Sequence, residues 1–275
     1  MSRIQRVFIT VKTYPTISQK YDELVCTAGV LENGGWIRIY PLPFRKLDFE
    51  DRFRKYQWVE LPLSRNYSDV RPESFKVDDL TQVKLCEEVG SKDGWAERKR
   101  ILFAHNQIYD NLTDLIESAN KNELSIGIFK PEQIINFKVE EVERVWSKDK
   151  LDFLTVKAQQ LSLFQTEAEV KKEFLCVKKL PYKFSYSIKD RRGRISKMMI
   201  EDWEIGALFW NCLTQCEGDE QKAVALVEQK YLTEFQNKDV YLFLGTTKKF
   251  HGMAPNPFVI IGVFYPPIEL QASLF

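Results

Sequence analysis

The first 80 residues carry short apolar runs separated by turn residues, a pattern typical of β-rich structure. Two runs, "RVFITVKTY" and "YDELVCTAGV", have strand character, and "YQWVELPLS" repeats it farther along. Between them lies "ENGGWIRIYPLPF", where Asn33, Gly34 and Gly35 supply the positive φ values that a tight hairpin turn requires. Several short strands joined by glycine and proline turns predict a small barrel or curled sheet, which we expect to be OB-like.

The pattern changes to a helical spacing between residues 92 and 120. Apolar side chains in "DGWAERKRILFAHNQIYDNLTDLIESAN" recur every three or four residues over polar faces. The next segment, "LSIGIFKPEQIINFKVEEVER", returns to strand-like runs that Pro131 punctuates. We therefore predict an N-terminal domain over residues 1–155, β-rich and OB-like, with a helical insertion.

The C-terminal half combines helical and strand patterns. The segments "IEDWEIGALFWNCLTQ" and "GDEQKAVALVEQKYLTEF" predict helices, each with acidic residues in its first turn, where the helix dipole favours them. The apolar runs in "KDVYLFLGTT" and "NPFVIIGVFYPP" are typical of strands buried on both faces. We expect an α+β domain over residues 169–268, an exposed linker over 156–168 and a C-terminal tail over 269–275. The fold class of the whole chain is predicted to be α+β.

Charge and composition narrow the functional classes. The chain has 275 residues and a formal net charge of +1, from 40 Lys and Arg against 39 Asp and Glu, which excludes a globally basic coat. No run approaches the roughly 18 apolar residues that span a bilayer, so we expect a cytoplasmic protein with no membrane partner. The five cysteines are few and scattered, which is not a disulfide framework.

One cysteine pair has a spacing that could hold a metal. Cys212 and Cys216 are four residues apart on a predicted helix, but only His105 and His251 could complete a zinc site. The alternative is a pair of buried thiols. We predict neither a cofactor nor a metal site.

Two copies of one pentapeptide pattern stand apart from the predicted elements. A short peptide that docks in a groove needs apolar anchors and a polar group at a fixed offset. The pattern Gln-x-x-Leu-Phe should occur about 0.1 times in a chain of this composition, so two copies argue against chance. The internal copy could instead be a short buried strand. The residues are Gln160, Leu161, Ser162, Leu163 and Phe164, and Gln271, Ala272, Ser273, Leu274 and Phe275.

These pentapeptides, "QLSLF" and "QASLF", resemble the motifs that bind the bacterial β sliding clamp. The resemblance covers ten residues and implies the clamp as a partner, with Gln in a small polar subsite and Leu-Phe in a hydrophobic pocket. A homodimeric clamp offers two such pockets, so a second tethered peptide could raise the avidity. The clamp-bound protein would be associated with the nucleoid.

Residues 171–197 form a basic stretch in an otherwise neutral chain. The segment holds ten Lys or Arg and two acidic residues, and its interleaved aromatic side chains could stack on unpaired bases while the cations bind phosphates. The alternative is a solvated pair of strands whose aromatic side chains face the core. With a basic loop farther on, the predicted nucleic-acid contacts are Lys178, Lys179, Tyr182, Lys183, Tyr186, Arg191, Arg192, Arg194, Lys197, Lys248 and Lys249.

The body of the chain also resembles an uncharacterised bacterial family, through "LPYKFSYSIKD", "MMIEDWEIG" and "FVIIGVFYPP". That family often carries Cys and His residues before the Asp-Trp-Glu sequence, in the manner of a zinc knuckle. Here "RRGRISK" stands in that place, which implies that the metal site is absent. The segment "VCTAGVLENGGWIRIYPLPF" is similar to bacterial domains described as paired OB modules.

The rival hypothesis is a metal-dependent nuclease. Glu201, Asp202, Glu204 and Asp239, with Lys248, could gather around Mg²⁺, although acidic residues at the start of a helix also serve as caps. No hydrolase spacing and no glycine-rich phosphate loop supports it, so we nominate no catalytic residue. The sequence favours a clamp-recruited, DNA-associated protein in replication, repair, mobile-element targeting or anti-phage defence.

Overall fold

The structure is a computed structural model that describes residues 2–18, 22–42, 47, 52–149, 152 and 178–269. Both pentapeptides, residues 160–164 and 271–275, and the predicted linker over 156–168 lie outside the described residues. Within the described ranges, the strands are β1 (Arg3–Lys12), β2 (Thr16–Ser18), β3 (Asp22–Leu31), β4 (Trp36–Leu42), β5 (Gln57–Arg65), β6 (Ser74–Val77), β7 (Lys84–Glu88), β8 (Ile108–Tyr109), β9 (Ile126–Phe129), β10 (Gln133–Glu141), β11 (Tyr182–Lys189), β12 (Ile195–Met199), β13 (Tyr241–Thr246) and β14 (Phe258–Phe264). The α-helices there are α1 (Lys92–Phe103), α2 (Leu112–Asn120), α3 (Trp203–Gln215) and α4 (Glu220–Glu228).

Five strands near the N-terminus close into a barrel. Their order is β1, β3, β4, β6, β5, and β5 returns to pair with β1. The β4–β6 pair is parallel and the other pairs are antiparallel. Alternate side chains fill the interior, among them Val7, Ile9, Ile37, Ile39 and Leu61, all fully buried. Strands β2 and β7 add to the outside of the barrel at β3 and β5.

The predicted hairpin at Asn33 to Gly35 is confirmed. Strands β3 and β4 pair antiparallel on either side of it. The amide of Leu31 donates to the carbonyl of Gly35 at 2.9 Å, and Gly34 has a φ of 82°, in the left-handed region that glycine tolerates. The local turn residues therefore set the register of the first barrel hairpin.

The second half of the chain contains two more sheets. One has the order β14, β13, β9, β8, and the other has the order β10, β11, β12. Strands β13 and β14 are almost wholly buried, as their continuous apolar runs predicted. Strands β8 to β10 belong to the predicted segment 1–155, yet β9 pairs with β13 and β10 pairs with β11. Hydrogen bonding thus joins this part of the chain to the C-terminal half.

Helices α3 and α4 begin at acidic capping residues, as the sequence predicts. Asp202 caps α3 by accepting a hydrogen bond from the amide of Glu204, and Asp219 caps α4 by accepting from the amide of Lys222. Helix α3 buries Ile205 and Phe209 against the sheets. The structure is a mixed α+β fold with a β-rich barrel. Within the described ranges, no helix is both long enough and apolar enough to cross a bilayer.

Candidate nucleic-acid interface

A cleft of about 660 Å³, here called the basic cleft, lies between the barrel and the second half of the chain. Its lining combines residues of β3 and β4 with residues of β11, the end of β12, the end of β13 and β14. Of the residues that the structure describes, five cationic side chains line the cleft against a single carboxyl group, that of Glu201. The cationic residues are Arg38, Arg71, Lys179, Lys183 and Lys248.

Arg38 occupies the floor of the basic cleft. It lies on β4 with 2% of its surface exposed, and its Nη1 donates to Sγ of Cys26 at 3.2 Å. Its Nη2 donates to the carbonyl and the hydroxyl of Ser125, at 3.1 and 3.3 Å. Its Nε has no partner among the described residues, and none of their carboxylates forms an ion pair with it. Burial lowers the pKa of Arg38, as expected for a cation without a directly paired anion.

Within the described part of the chain, the charge of Arg38 is balanced through an intermediary, Ser125. Glu73 accepts hydrogen bonds from the amide and the hydroxyl of Ser125, at 2.7 and 2.6 Å. Ser125 in turn accepts from Arg38, so one serine separates the carboxylate from the guanidinium. The floor of the cleft therefore keeps a positive potential that an anionic ligand could neutralise.

Arg71 lies beside the floor but has its own carboxylate. Its Nε and Nη2 bind Asp69 at 3.0 and 2.6 Å, and its Nη1 donates to the carbonyl of Thr246 at 2.6 Å. Burial alone would raise the pKa of Asp69, but the hydrogen bonds and charge of Arg71 lower it to about 2. This buried pair is neutral overall, and it holds the loop after β5 against the end of β13.

Glu201 follows β12 and places a carboxyl group in the cleft. Its backbone is fixed, because its amide donates to the carbonyl of Ile260 and its carbonyl accepts from the amide of Tyr14, both at 2.8 Å. None of the described residues pairs with the carboxyl group. Burial raises its pKa, against the opposing charge of Arg38. Glu201 therefore sets how positive the cleft is.

The walls combine lysines with aromatic rings. Lys179 donates to the carbonyl of Val145 at 3.1 Å, and its Nζ lies 5.9 Å from the ring centre of Trp146. Lys183 is exposed on β11. Tyr14 and Tyr40 also line the cleft, together with Trp146 and with Tyr182 and Phe184 of β11. Proteins that bind single-stranded nucleic acid combine phosphate-binding cations with aromatic stacking surfaces in this way.

The structure brings four of the predicted nucleic-acid residues to the cleft, namely Lys179, Tyr182, Lys183 and Lys248. The exposed Lys178 lies nearby, with its Nζ 5.4 Å from the ring centre of Trp210, where it forms a cation–π contact. Lys249 is exposed in the loop after β13, with its Nζ 5.3 Å from the ring centre of Phe250.

The aromatic residues of β11 face inward, which corrects the expectation for Tyr186. That ring is fully buried, and its hydroxyl donates to the carbonyl of Tyr231. Tyr182 is 8% exposed, packs edge-on against Phe209 and donates its hydroxyl to Glu220 at 2.7 Å. Strand β11 therefore offers Lys183 to a ligand, while Tyr186 belongs to the core.

The predicted arginine turn lies outside the lining of the cleft. The carboxylate of Asp190 shapes this turn by accepting hydrogen bonds from the amides of Arg192 and Arg194, at 3.0 and 2.8 Å. Arg191 binds Asp110 at 2.9 Å, and Arg192 lies 3.8 Å from Asp114. On the next strand Lys197 binds Glu140 at 2.5 Å. Acidic neighbours therefore offset much of the charge of this surface.

Three of the four carboxylates of the nuclease hypothesis are bound by lysines, whereas the fourth, that of Glu201, lies in the basic cleft. Lys55 contacts Asp202 at 3.1 Å and Glu204 at 2.9 Å, and the amide of Val263 also donates to Asp202 at 3.1 Å. Asp239 is bound by Lys130 and accepts from the hydroxyl of Tyr241 at 2.8 Å. Across the described residues, no three His, Cys, Asp or Glu side chains gather where they could hold a metal ion.

Sequence reasoning missed the floor of the cleft. Arg38 interrupts an apolar strand in "WIRIY". Its neighbours Ile37 and Ile39 are both buried, so the pattern indicates a buried arginine, whose charge needs a partner. For Glu201 the local pattern suggests only a metal ligand or a helix-capping residue. The packing of distant strands, rather than any local pattern, places it opposite Arg38.

Two family models cover the chain. Residues 3–104 match "Domain of unknown function (DUF8758)", and residues 105–275 match "Domain of unknown function (DUF8757)". No curated protein matches the sequence. A solved structure described as "Structure of murine DNA binding protein bound with ds DNA" aligns over 97% of this chain and 96% of its own, with 10% identity and a TM-score of 0.29. A similarity at this level carries no functional argument.

Proposed function

We propose that this chain, which belongs to the family described as "Domain of unknown function (DUF8757)", binds single-stranded nucleic acid in the basic cleft. One observation carries the proposal: among the described residues, five cationic side chains line the cleft against one carboxyl group, and the buried Arg38 has no ion-pair partner. A phosphodiester backbone supplies the anions that this lining lacks.

The aromatic side chains of the cleft favour a single strand over a duplex. Tyr14, Tyr40 and Trp146 line the same space as the lysines. Every unpaired base offers a face that can stack on such rings, whereas a duplex keeps its bases inside its own stack unless one is extruded. Phosphates on the cations and bases on the rings therefore account for both kinds of residue in the cleft.

The proposal is tested by fluorescence anisotropy with a labelled single strand of DNA, the same sequence in RNA, and the corresponding duplex. We expect single strands to bind more tightly than the duplex, with an affinity that falls as salt rises. Replacing both Lys179 and Lys183 with Ala should reduce the slope of log K against log salt by about 0.7 for each phosphate that is no longer neutralised.

A matched control is available on β7. Lys84→Ala removes one exposed lysine that pairs with Glu60 outside the lining of the cleft, so it should leave the salt slope unchanged. Binding that favours the duplex, or a salt slope that the Lys179 and Lys183 changes do not alter, would remove the cleft from consideration as the nucleic-acid site.

We also infer that the barrel is OB-like. Its support is the arrangement of five strands in which β1, β3 and β4 pair in succession and β6 lies parallel to β4 before β5 closes the ring. Small Greek-key barrels of this kind bind oligonucleotides.

A second proposed function is recruitment to the bacterial sliding clamp through residues 160–164 and 271–275. The support is the sequence, which carries a Leu-Phe pair three residues after a Gln in both copies. Two tethered peptides facing two pockets can raise avidity roughly 10²-fold or more. A clamp that encircles DNA would also bring the basic cleft close to its ligand.

Calorimetric titration with a purified bacterial sliding clamp tests this recruitment. The intact protein should bind saturably, and deleting residues 271–275 or changing Leu163 and Phe164 to Ala should weaken binding by the amount expected of interface anchors. The double deletion of both motifs should abolish it. If the intact protein does not bind the clamp, the two pentapeptides have another origin, and the proposal for the basic cleft is unaffected.

A further inference from the structure

A second concave surface, here called the barrel groove, lies on the outside of the barrel. It has a volume of about 1180 Å³ and runs along the start of β1, the end of β5 and β6. Among the described residues that line it, three are cationic and none is acidic. The cationic residues are Arg3, Arg65 and Lys76.

The cations of the barrel groove are held differently. Arg65 is fixed by hydrogen bonds to backbone carbonyls, including that of Arg71 at 2.8 Å, and its guanidinium lies 5.8 Å from the ring centre of Phe75. Lys76 is half exposed, with Asp78 at 3.7 Å, and Arg3 is exposed at the start of β1. The groove therefore presents one positioned and two accessible positive charges.

Tyr67 stands at the edge of the groove with 92% of its surface exposed. Among the described residues no side chain packs on its ring or hydrogen-bonds its hydroxyl. The backbone below it is anchored, because Asn66 donates to the carbonyl of Tyr40 at 2.8 Å and accepts from the hydroxyl of Ser68 at 2.7 Å. An aromatic ring displayed on an anchored loop is a preorganised surface for stacking.

The groove and the basic cleft share one ridge. Tyr40 lines the cleft and its neighbour Pro41 lines the groove. On the other side of the ridge, Lys248 of the cleft donates to the carbonyl of Ser68, which lines the groove, at 2.7 Å. A chain that leaves the cleft past Lys248 thus arrives at Tyr67.

We propose that the barrel groove is the second segment of one nucleic-acid track. The strand bound in the basic cleft crosses the ridge, stacks a base on Tyr67 and places its next phosphates against Arg3 and Lys76. This inference rests on the proposed function of the cleft and extends it to a longer ligand. Charge complementarity selects a polyanion as the occupant, since no carboxylate among the described residues lines the groove.

The test uses oligothymidylates of about 4 and about 16 nucleotides, which bracket the site sizes found on such surfaces. The longer strand should bind at least about tenfold more tightly. Tyr67→Ala should weaken binding of the longer strand by about tenfold and leave the shorter strand unaffected, because the longer strand loses one stacked base. Tyr67→Phe keeps the stacking face and should restore the affinity.

The outcomes separate the inference from the function on which it rests. If the short strand binds but length adds no affinity, or if Tyr67→Ala has no effect, the groove is not part of the track and the exposed tyrosine serves another partner. If Tyr67→Ala weakens both lengths equally, the two surfaces do not act in sequence. If neither length binds, the function proposed for the cleft fails as well.

Discussion

The ammonium group of Lys55 lies 3.1 Å from Oδ2 of Asp202 and ties the barrel to the first turn of α3. The same ammonium contacts Glu204 at 2.9 Å. The side chains of Lys55 and Asp202 are 5% and 0% exposed, respectively. Burial alone would lower the pKa of Lys55, but the two carboxylates raise it well above its usual value. Burial raises the pKa of Asp202 to about 6, against the charge of Lys55, so both groups are still charged at neutral pH and the pair fixes how the two halves of the chain meet.

Lys55→Met should strongly destabilise the protein. The change leaves the carboxylate of Asp202 buried without its cation, which typically costs about 3–5 kcal/mol of unfolding free energy. Urea unfolding followed by circular dichroism measures the loss. Lys84→Met, which breaks an exposed pair with Glu60, is the matched control and should change little. Equal effects of the two changes would show that the buried pair does not hold the halves together.

Glu201→Gln should strengthen nucleic-acid binding about fivefold, because it removes roughly 1 kcal/mol of repulsion between the carboxylate and a bound phosphate. Burial raises the pKa of Glu201 above its usual value of 4.5. As the pH falls toward this raised pKa, the carboxylate takes up a proton. The cleft then loses its negative charge. Affinity of the unmodified protein should therefore rise as the pH falls.

Anisotropy titrations between neutral pH and about pH 5 compare the two proteins. His251 contacts Thr246 beside the cleft at 3.0 Å, and burial lowers its pKa below its usual value of 6.5. It gains charge at low pH in both proteins, so the difference between them isolates Glu201. Parallel pH profiles would place Glu201 outside the interface.

Replacing Arg191, Arg192 and Arg194 together with Ala should weaken nucleic-acid binding less than the Lys179 and Lys183 changes do. Asp110 and Asp114 already offset part of the charge of the arginine turn. The salt slopes of the two variants show which change weakens binding more, since each phosphate left without its cation lowers the slope by about 0.7 for a single strand. A larger effect of the arginine variant would move the interface from the cleft to this turn.

Tyr186→Phe should lower stability without changing nucleic-acid affinity. The hydroxyl donates to the carbonyl of Tyr231 inside the core, so its removal should cost about 0.5–1.5 kcal/mol. Unfolding and binding measured on the same preparation separate the two effects. A loss of affinity with unchanged stability would return the ring to the interface.

Local rules in the sequence succeeded where a few neighbouring residues decide the structure. Gly34 has the positive φ of the predicted turn, and Asp202 caps the predicted helix. Both outcomes depend on backbone geometry within one turn of chain. The aromatic alternation of β11 was also visible, and it places Tyr182 and Tyr186 on one face.

The sequence could not say which way that face points. The answer depends on Phe209 of α3, which packs against the Tyr182 ring at a centroid distance of 5.3 Å. The role of Arg38 in the floor of the cleft was not predicted for the same reason, since its hydrogen-bond partner Ser125 lies 87 residues away in the sequence. Contacts between residues this far apart are set by tertiary packing, which period and propensity do not encode.

The pairing of β9 with β13 has a consequence for synthesis. The barrel strands end at Val77 and can close early. Strand β9, with four buried residues from Ile126 to Phe129, pairs on one side with the two-residue β8, but its partner on the other side begins at Tyr241. Roughly 110 residues separate them, which a ribosome takes about 5–20 s to add. During that interval the apolar side chains of β9 are exposed beside the closed barrel. We therefore expect the nascent chain to need chaperones until the strands of the second half have been made.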